Sequence, residues 1–222
     1  MEEHREEKEI EMEQVVEHKA SGWEWFSRVL SVVFNPLLMP LYFFVLLFRK
    51  TYLMVMPFQY SRFVLGIVLT FTVLAPLLFV GIYLWINRIG LRGLTKRRRR
   101  FVPYLMVGMS YLTCSILMER MHFPYYFSGV IKAGLVSLVL CCLMNLRWRV
   151  SMHLTGCGLF IGSLLVFSYL FQFNPVGWLC GCILLAGMQG TARISYHRHT
   201  LWEVIAGFVV GMFCGITGIL FI

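Results

Sequence analysis

Acidic side chains are scarce along most of this 222-residue chain. Aspartate is absent, nine glutamates lie within the first 24 residues, and beyond that arm only Glu119 and Glu203 remain. A protein site for Mg²⁺ relies on several oxygen ligands, carboxylates foremost among them. The sequence therefore argues against a magnesium-dependent centre in the apolar part of the chain, and the two remaining carboxylates become candidates for a special role.

Cysteine pairs with the spacing of a metal site or a redox site are also missing. The chain has seven cysteines, all inside apolar runs, and none shows the Cys-x-x-Cys spacing of a zinc ribbon or a redox pair. We expect them to act as small apolar packing residues. They are Cys114, Cys141, Cys142, Cys157, Cys180, Cys182 and Cys214.

Charge of either sign is sparse: 14% of the residues are charged, 59% are hydrophobic, and the mean hydropathy is +0.73. Because about 20 apolar residues cross a bilayer, the sequence predicts an all-α polytopic transmembrane bundle with six to seven spans. We expect a polar, acidic N-terminal arm over residues 1–28 and one transmembrane domain over residues 29–222. The predicted spans cover residues 30–48, 63–86, 101–118, 125–146, 154–171, 176–190 and 201–222. Pro36 and Pro40 predict a kinked or broken helix in the first span.

The net charge of +9 lies mostly in the loops between these spans. Basic loops interleaved with membrane spans argue against a nucleic-acid partner. They favour anionic membrane lipids or a phosphorylated lipid substrate as partners. The sequence gives no indication of a cofactor or of an oligomeric state.

Three polar loops contain most of the remaining polar chemistry: residues 88–100, 147–153 and 191–200. Two predicted spans separate each loop from the next, so all three emerge on the same face of the membrane. Which face of the membrane this is stays open, because basic residues that bind phosphate and basic residues that mark the cytoplasmic side have the same appearance in a sequence.

Glu203 lies at the edge of the last apolar span, where an ionisable side chain is costly and is by default a functional candidate. His199 precedes it by four residues, and positions i and i+4 of a helix share one face, so the two side chains are predicted to meet. Arg193 lies six residues before His199. A base, an acid that orients it and a cation therefore fall within eleven residues.

Together the loops predict phosphoryl transfer. Arginine recognises phosphate oxygens in a bidentate manner, and the start of a helix near Ser151 would offer N–H groups to an anion. A neutral histidine can attack phosphorus when a carboxylate holds its other ring nitrogen, and a second histidine can protonate the leaving oxygen. A zinc site made of His153, His197 and His199 is the alternative.

Three short motifs resemble those of a known superfamily. Arg193-x5-His199-x3-Glu203 is similar to the third signature, Ser-Arg-x5-His-x3-Asp, of the type 2 phosphatidic acid phosphatases and vanadium haloperoxidases. Ser151-Met152-His153 resembles the second signature, Pro-Ser-Gly-His, and residues 96–103 resemble the first, Lys-x6-Arg-Pro. The resemblance covers residues 88–215 and implies the helical core of that superfamily.

The resemblance also implies roles and an activity. His199 is the expected nucleophile that forms a phosphohistidine, Glu203 orients it, and His153 is the general acid; His197 ranks below His199 because its spacing fits neither the signature nor the helix face shared with Glu203. The expected phosphate ligands are Arg193, Ser151, Arg100, Arg97 and Lys96. The implied protein is a metal-independent lipid phosphatase of the bacterial inner membrane, acting on a lipid phosphomonoester or a polyprenyl diphosphate.

Other functions remain open because this chain departs from the signatures. Ala192, Met152 and Val150 replace the family's Ser, Gly and Pro, and no arginine directly precedes Pro103. A catalytically inactive, lipid-binding or structural relative is one alternative, and a lipid phosphotransferase with the same phosphohistidine is another. A proton-relay transporter is disfavoured, because Lys132 is the sole polar candidate deep within a predicted span.

Overall fold

The computed structural model describes residues 22, 25, 29–88, 97–148, 150–195 and 199–221, with the backbone alone at 97–101 and 146. The chain divides into two units, Met1–Phe34 and Asn35–Ile222. The predicted polar arm lies almost entirely outside the described residues. The described residues of the second unit form eight helices and no strand, so the prediction of an all-α fold is confirmed.

The helices are α1 (Met39–Lys50), α2 (Phe58–Leu69), α3 (Ala75–Ile86), α4 (Arg97–Arg120), α5 (Tyr125–Arg147), α6 (Met152–Phe171), α7 (Val176–Ser195) and α8 (Leu201–Leu220). A 3₁₀ turn, Tyr52–Val55, follows α1, and a π-helical turn, Thr70–Leu74, joins α2 to α3.

Five helical segments are long and apolar enough to cross a membrane, which makes this a membrane protein. They are Phe58–Ile86, Val102–Arg120, Tyr125–Asn145, Met152–Phe171 and Leu201–Leu220. Six to seven spans were predicted, and the first and sixth of these are not among the five. Around Pro36 the backbone turns, as expected, and α1 has 12 residues, which is about 18 Å against a hydrocarbon core of about 30 Å. Helix α7 has 20 residues, but Gln189 and Arg193 make it less apolar.

Helices α6 and α8 form the most extensive contact in the structure, and glycine makes it possible. A Cβ atom on Gly158 of α6 would collide with the carbonyl of Phe208, and one on Gly211 of α8 would collide with the carbonyl of Thr155. Small residues let transmembrane helices approach until their backbones touch, and dispersion contacts then stabilise the pair. This close pairing fixes the start of α6 against the start of α8.

The π-helical turn between α2 and α3 leaves one carbonyl without its helical donor. Within the turn, the N–H of Ala75 bonds to the carbonyl of Thr70, so the next donor in that register belongs to Pro76, which has no N–H. The carbonyl of Phe71 is the one left over, and the hydroxyl of Ser110 on α4 donates to it. A polar side chain from a neighbouring helix thus replaces the bond that proline removes.

Lys132 of α5 forms an ion pair with Glu119 at the end of α4, with 2.6 Å between Nζ and Oε1. The two side chains are 27% and 49% exposed, so the lysine reaches toward the end of the bundle to meet its partner. This pair accounts for a lysine that the sequence leaves unexplained. It also means that both carboxylates of the apolar part of the chain have a basic partner.

Candidate active site

The starts of α6 and α8 and the end of α7 meet at one end of the bundle. The N–H of Ser151 donates to the carbonyl of Glu203 over 3.3 Å. A nitrogen of the Arg193 guanidinium lies 2.7 Å from Nε2 of His153. Described residues of the loops at 147–153 and 191–200 therefore lie together at one end of the bundle, in agreement with the prediction that these loops emerge on the same face.

His199 and Glu203 are in contact, as predicted, with 3.0 Å between Nδ1 and Oε2. The contact arises in a different way from the one that the i, i+4 spacing predicted. Helix α8 begins at Leu201 with Thr200 as its N-cap, so His199 precedes the helix and does not share a helical face with Glu203. The side chains are 20% and 23% exposed, so the pair is partly shielded from solvent but accessible to a substrate.

Glu203 has a second role that sequence reasoning missed. Its Oε2 accepts the N–H of Thr200 over 3.2 Å, and the hydroxyl of Thr200 accepts the N–H of Glu203 over 3.4 Å. This is a capping box, which satisfies two N–H groups at the start of α8. The signal was present in the sequence, because Thr-x-x-Glu before an apolar run is its signature. The box positions the carboxylate beside the preceding His199.

The contact between Arg193 and His153 joins α7 to α6 and was not predicted. A guanidinium has donors only, so Nε2 of His153 is the acceptor and the ring proton resides on Nδ1. Both residues were predicted to face a phosphate, and the structure brings them together. A bound anion would compete with Nε2 for the same guanidinium N–H group.

Ser151 is the N-cap of α6 by position, yet its hydroxyl makes no capping hydrogen bond. The residue is fully buried, and within the described part of the chain its Oγ has no hydrogen-bond partner. Its carbonyl accepts from the N–H and the hydroxyl of Thr155, over 3.0 and 3.1 Å. The backbone of Ser151 is thus fixed from both sides, while its buried hydroxyl has no partner among the described residues.

The structure describes the basic residues of the first motif only in part. Lys96 lies outside the described residues, and Arg97 and Arg100 lie in the first turn of α4 without a described side chain. This turn was predicted as loop and is helical. Pro103 and Met152 line the same cavity of about 230 Å³, so the first and second motifs come together.

No group of three or more metal-binding side chains occurs among the residues that the structure describes. His197, which belongs to the alternative zinc set, lies outside them. Two hydrogen-bonded side-chain pairs lie at one end of the bundle: His199 with Glu203, and His153 with Arg193. This arrangement suits acid–base and nucleophilic chemistry on an anionic group.

Comparison with known proteins adds no relative: no protein-family model, no curated protein and no solved structure matches this chain.

Proposed function

We propose that this membrane protein is a lipid phosphatase that works through a phosphohistidine at His199. The hydrogen bond between Nδ1 of His199 and the carboxylate of Glu203 carries the proposal. When the neutral imidazole donates from Nδ1 to a carboxylate, Nε2 is unprotonated and its lone pair can attack phosphorus. The resemblance of the three motifs to the phosphatidic acid phosphatase superfamily supports the same role.

The reaction has two steps. Nε2 of His199 attacks phosphorus, the bond from phosphorus to the lipid oxygen breaks, and His153 gives a proton to the departing oxygen. Water then attacks the phosphohistidine while His153 takes one of its protons, and inorganic phosphate and free His199 result. For the first step Arg193 leaves Nε2 of His153 and turns to the phosphate, and His153 takes up a proton.

Several groups, most of them positively charged, are proposed to bind the phosphate. Arg193 supplies a planar guanidinium, and the hydroxyl of Ser151 supplies a buried donor. Four arginines, residues 97–100, occupy the first turn of α4. Positive charge at a helix N-terminus is unfavourable, so a bound phosphate would relieve this repulsion. Lys96 is proposed as a further ligand.

The lipid chain of the substrate lies among the helices in this proposal. The 230 Å³ cavity beside Met152 is mostly apolar and includes Tyr104 and Leu159 in its walls. It can accept the first part of a hydrocarbon tail while the phosphate meets His199. A phosphomonoester or a polyprenyl diphosphate fits this arrangement, and we place the protein in a bacterial inner membrane, in line with the resemblance.

The test is phosphate release by the detergent-purified protein from a panel of lipid phosphates. We expect release by the wild type, none by His199→Ala, and full release by the control His122→Asn. His122 lies in the turn after α4 with φ of 57°, which asparagine tolerates. Vanadate should inhibit the wild type without added metal. Activity that EDTA abolishes and zinc restores would instead support the zinc site.

A second candidate is a lipid-binding or structural protein without catalysis. The capping box favours it, since a helix cap alone would explain why Glu203 is where it is. The two functions differ in whether His199 accepts phosphate. Trapping of a phosphorylated protein with a labelled lipid phosphate, lost in His199→Ala, would support the phosphatase and exclude this candidate.

A further inference from the structure

An open cleft of about 580 Å³ lies between the end of α5 and the start of α8, next to Glu203. Its lining includes Arg147, Trp148, Trp202 and Glu203. His199 is not among the residues that line the cleft. None of the predicted functions assigns a role to Arg147, Trp148 or Trp202.

Among the described residues, the lining of the cleft includes one cation, Arg147, and one anion, Glu203. Arg147 is the last residue of α5 and is exposed, so its guanidinium can bind phosphate oxygens. Among the described residues, both hydrogen bonds to the Glu203 carboxylate are accepted by Oε2 and none by Oε1. The remaining oxygen therefore offers an acceptor to a cationic group.

Two indole rings flank these charges. Trp148 is 69% exposed and Trp202 is 78% exposed, although both lie at the ends of apolar helices. Tryptophan at such positions belongs to the headgroup level of a bilayer, and an indole face attracts an ammonium group. If the two tryptophans only anchored the helices in the headgroup region, no charged side chains would be needed beside them. Here they line a cleft together with the guanidinium of Arg147 and the carboxylate of Glu203.

We propose that this cleft binds a zwitterionic phospholipid, with the headgroup phosphate on Arg147 and the ammonium group on Glu203 between the two indoles. The charges of the cleft and of such a headgroup are complementary, whereas an anionic headgroup would bring negative charge to Glu203. The site is separate from that of the phosphatase substrate and does not depend on the proposed function.

The test measures lipid binding to the delipidated full-length protein in detergent by native mass spectrometry. The probes are phosphatidylethanolamine, phosphatidylcholine and phosphatidylglycerol with identical acyl chains. We expect the two zwitterionic lipids to bind at least about tenfold more tightly than phosphatidylglycerol, which corresponds to one lost charge-assisted contact. Trp202→Leu should remove most of this preference, whereas Arg147→Gln should weaken the binding of all three lipids, because each of them carries the phosphate.

Matched controls are available on other parts of the surface. Arg120→Gln changes an exposed arginine at the end of α4, and Trp85→Leu changes an indole that is 82% exposed on α3. Both should bind as the wild type does. Equal binding of all three lipids, a preference for phosphatidylglycerol, or equal losses in controls and cleft variants would overturn the proposal. Because no turnover is measured, a failure of the phosphatase hypothesis leaves this result unaffected.

Discussion

Glu203 both caps α8 and holds His199, and two substitutions separate these roles. In Glu203→Gln the amide oxygen can still accept from the N–H of Thr200 and from Nδ1 of His199, but the negative charge is lost. In Thr200→Ala the hydroxyl that accepts the N–H of Glu203 is lost, while the carboxylate and its contact with His199 remain. The first variant tests chemistry and the second tests stability.

The expected magnitudes differ for the two variants. Loss of the orienting carboxylate in a comparable triad lowers the rate by about 10⁴-fold, so we expect Glu203→Gln to lose about 10²- to 10⁴-fold in kcat, or about 3–5 kcal/mol. Its midpoint of thermal unfolding should change little. Thr200→Ala should cost about 1 kcal/mol of stability, or about 2–4 °C, with kcat within a few-fold of the wild type.

The assays are phosphate release with a lipid phosphate and thermal unfolding in the same detergent. Activity within tenfold of the wild type in Glu203→Gln would refute the catalytic role and leave a helix cap. The reasoning also fails if Thr200→Ala loses activity to the same extent as Glu203→Gln, since the loss would then follow the structure of the helix start and not the charge.

Three further predictions concern the fold, each measured by thermal unfolding in detergent. Gly211→Ala places a Cβ against the α6 backbone and should cost about 1–3 kcal/mol or more, whereas Gly187→Ala, with open space around it, should be neutral or stabilising. Ser110→Ala should cost about 1 kcal/mol, and less in a Pro76→Ala background that restores a backbone donor; equal costs in both backgrounds would contradict our account of the π turn. Lys132→Met removes the cation of a partly exposed ion pair and should destabilise by up to about 1 kcal/mol, and an unchanged midpoint would show that water already satisfies the carboxylate of Glu119.

Features that depend on neighbouring residues in the chain could be predicted. The apolar runs determine helices, because a backbone in lipid must satisfy its own hydrogen bonds. The break near Pro36 and the contact between His199 and Glu203 followed from local spacing, although the contact depends on a cap and not on a helix face. Five of the predicted spans match helices that are long and apolar enough to cross a membrane. The other two segments fall short of that length or apolarity, because a proline-rich turn precedes α1 and polar residues interrupt α7.

The sequence by itself determined that this is a helical membrane protein with polar chemistry at one end of its bundle, because apolar length and the order of loops need no tertiary information. Tertiary packing alone decided the pairing of Arg193 with His153, which are 40 residues apart, and the cleft between α5 and α8 that joins Arg147 to Glu203. These contacts depend on the close glycine packing of α6 against α8 and on the rotation of each helix about its axis. Sequence spacing does not encode that rotation, since it is set by side chains from several helices at once.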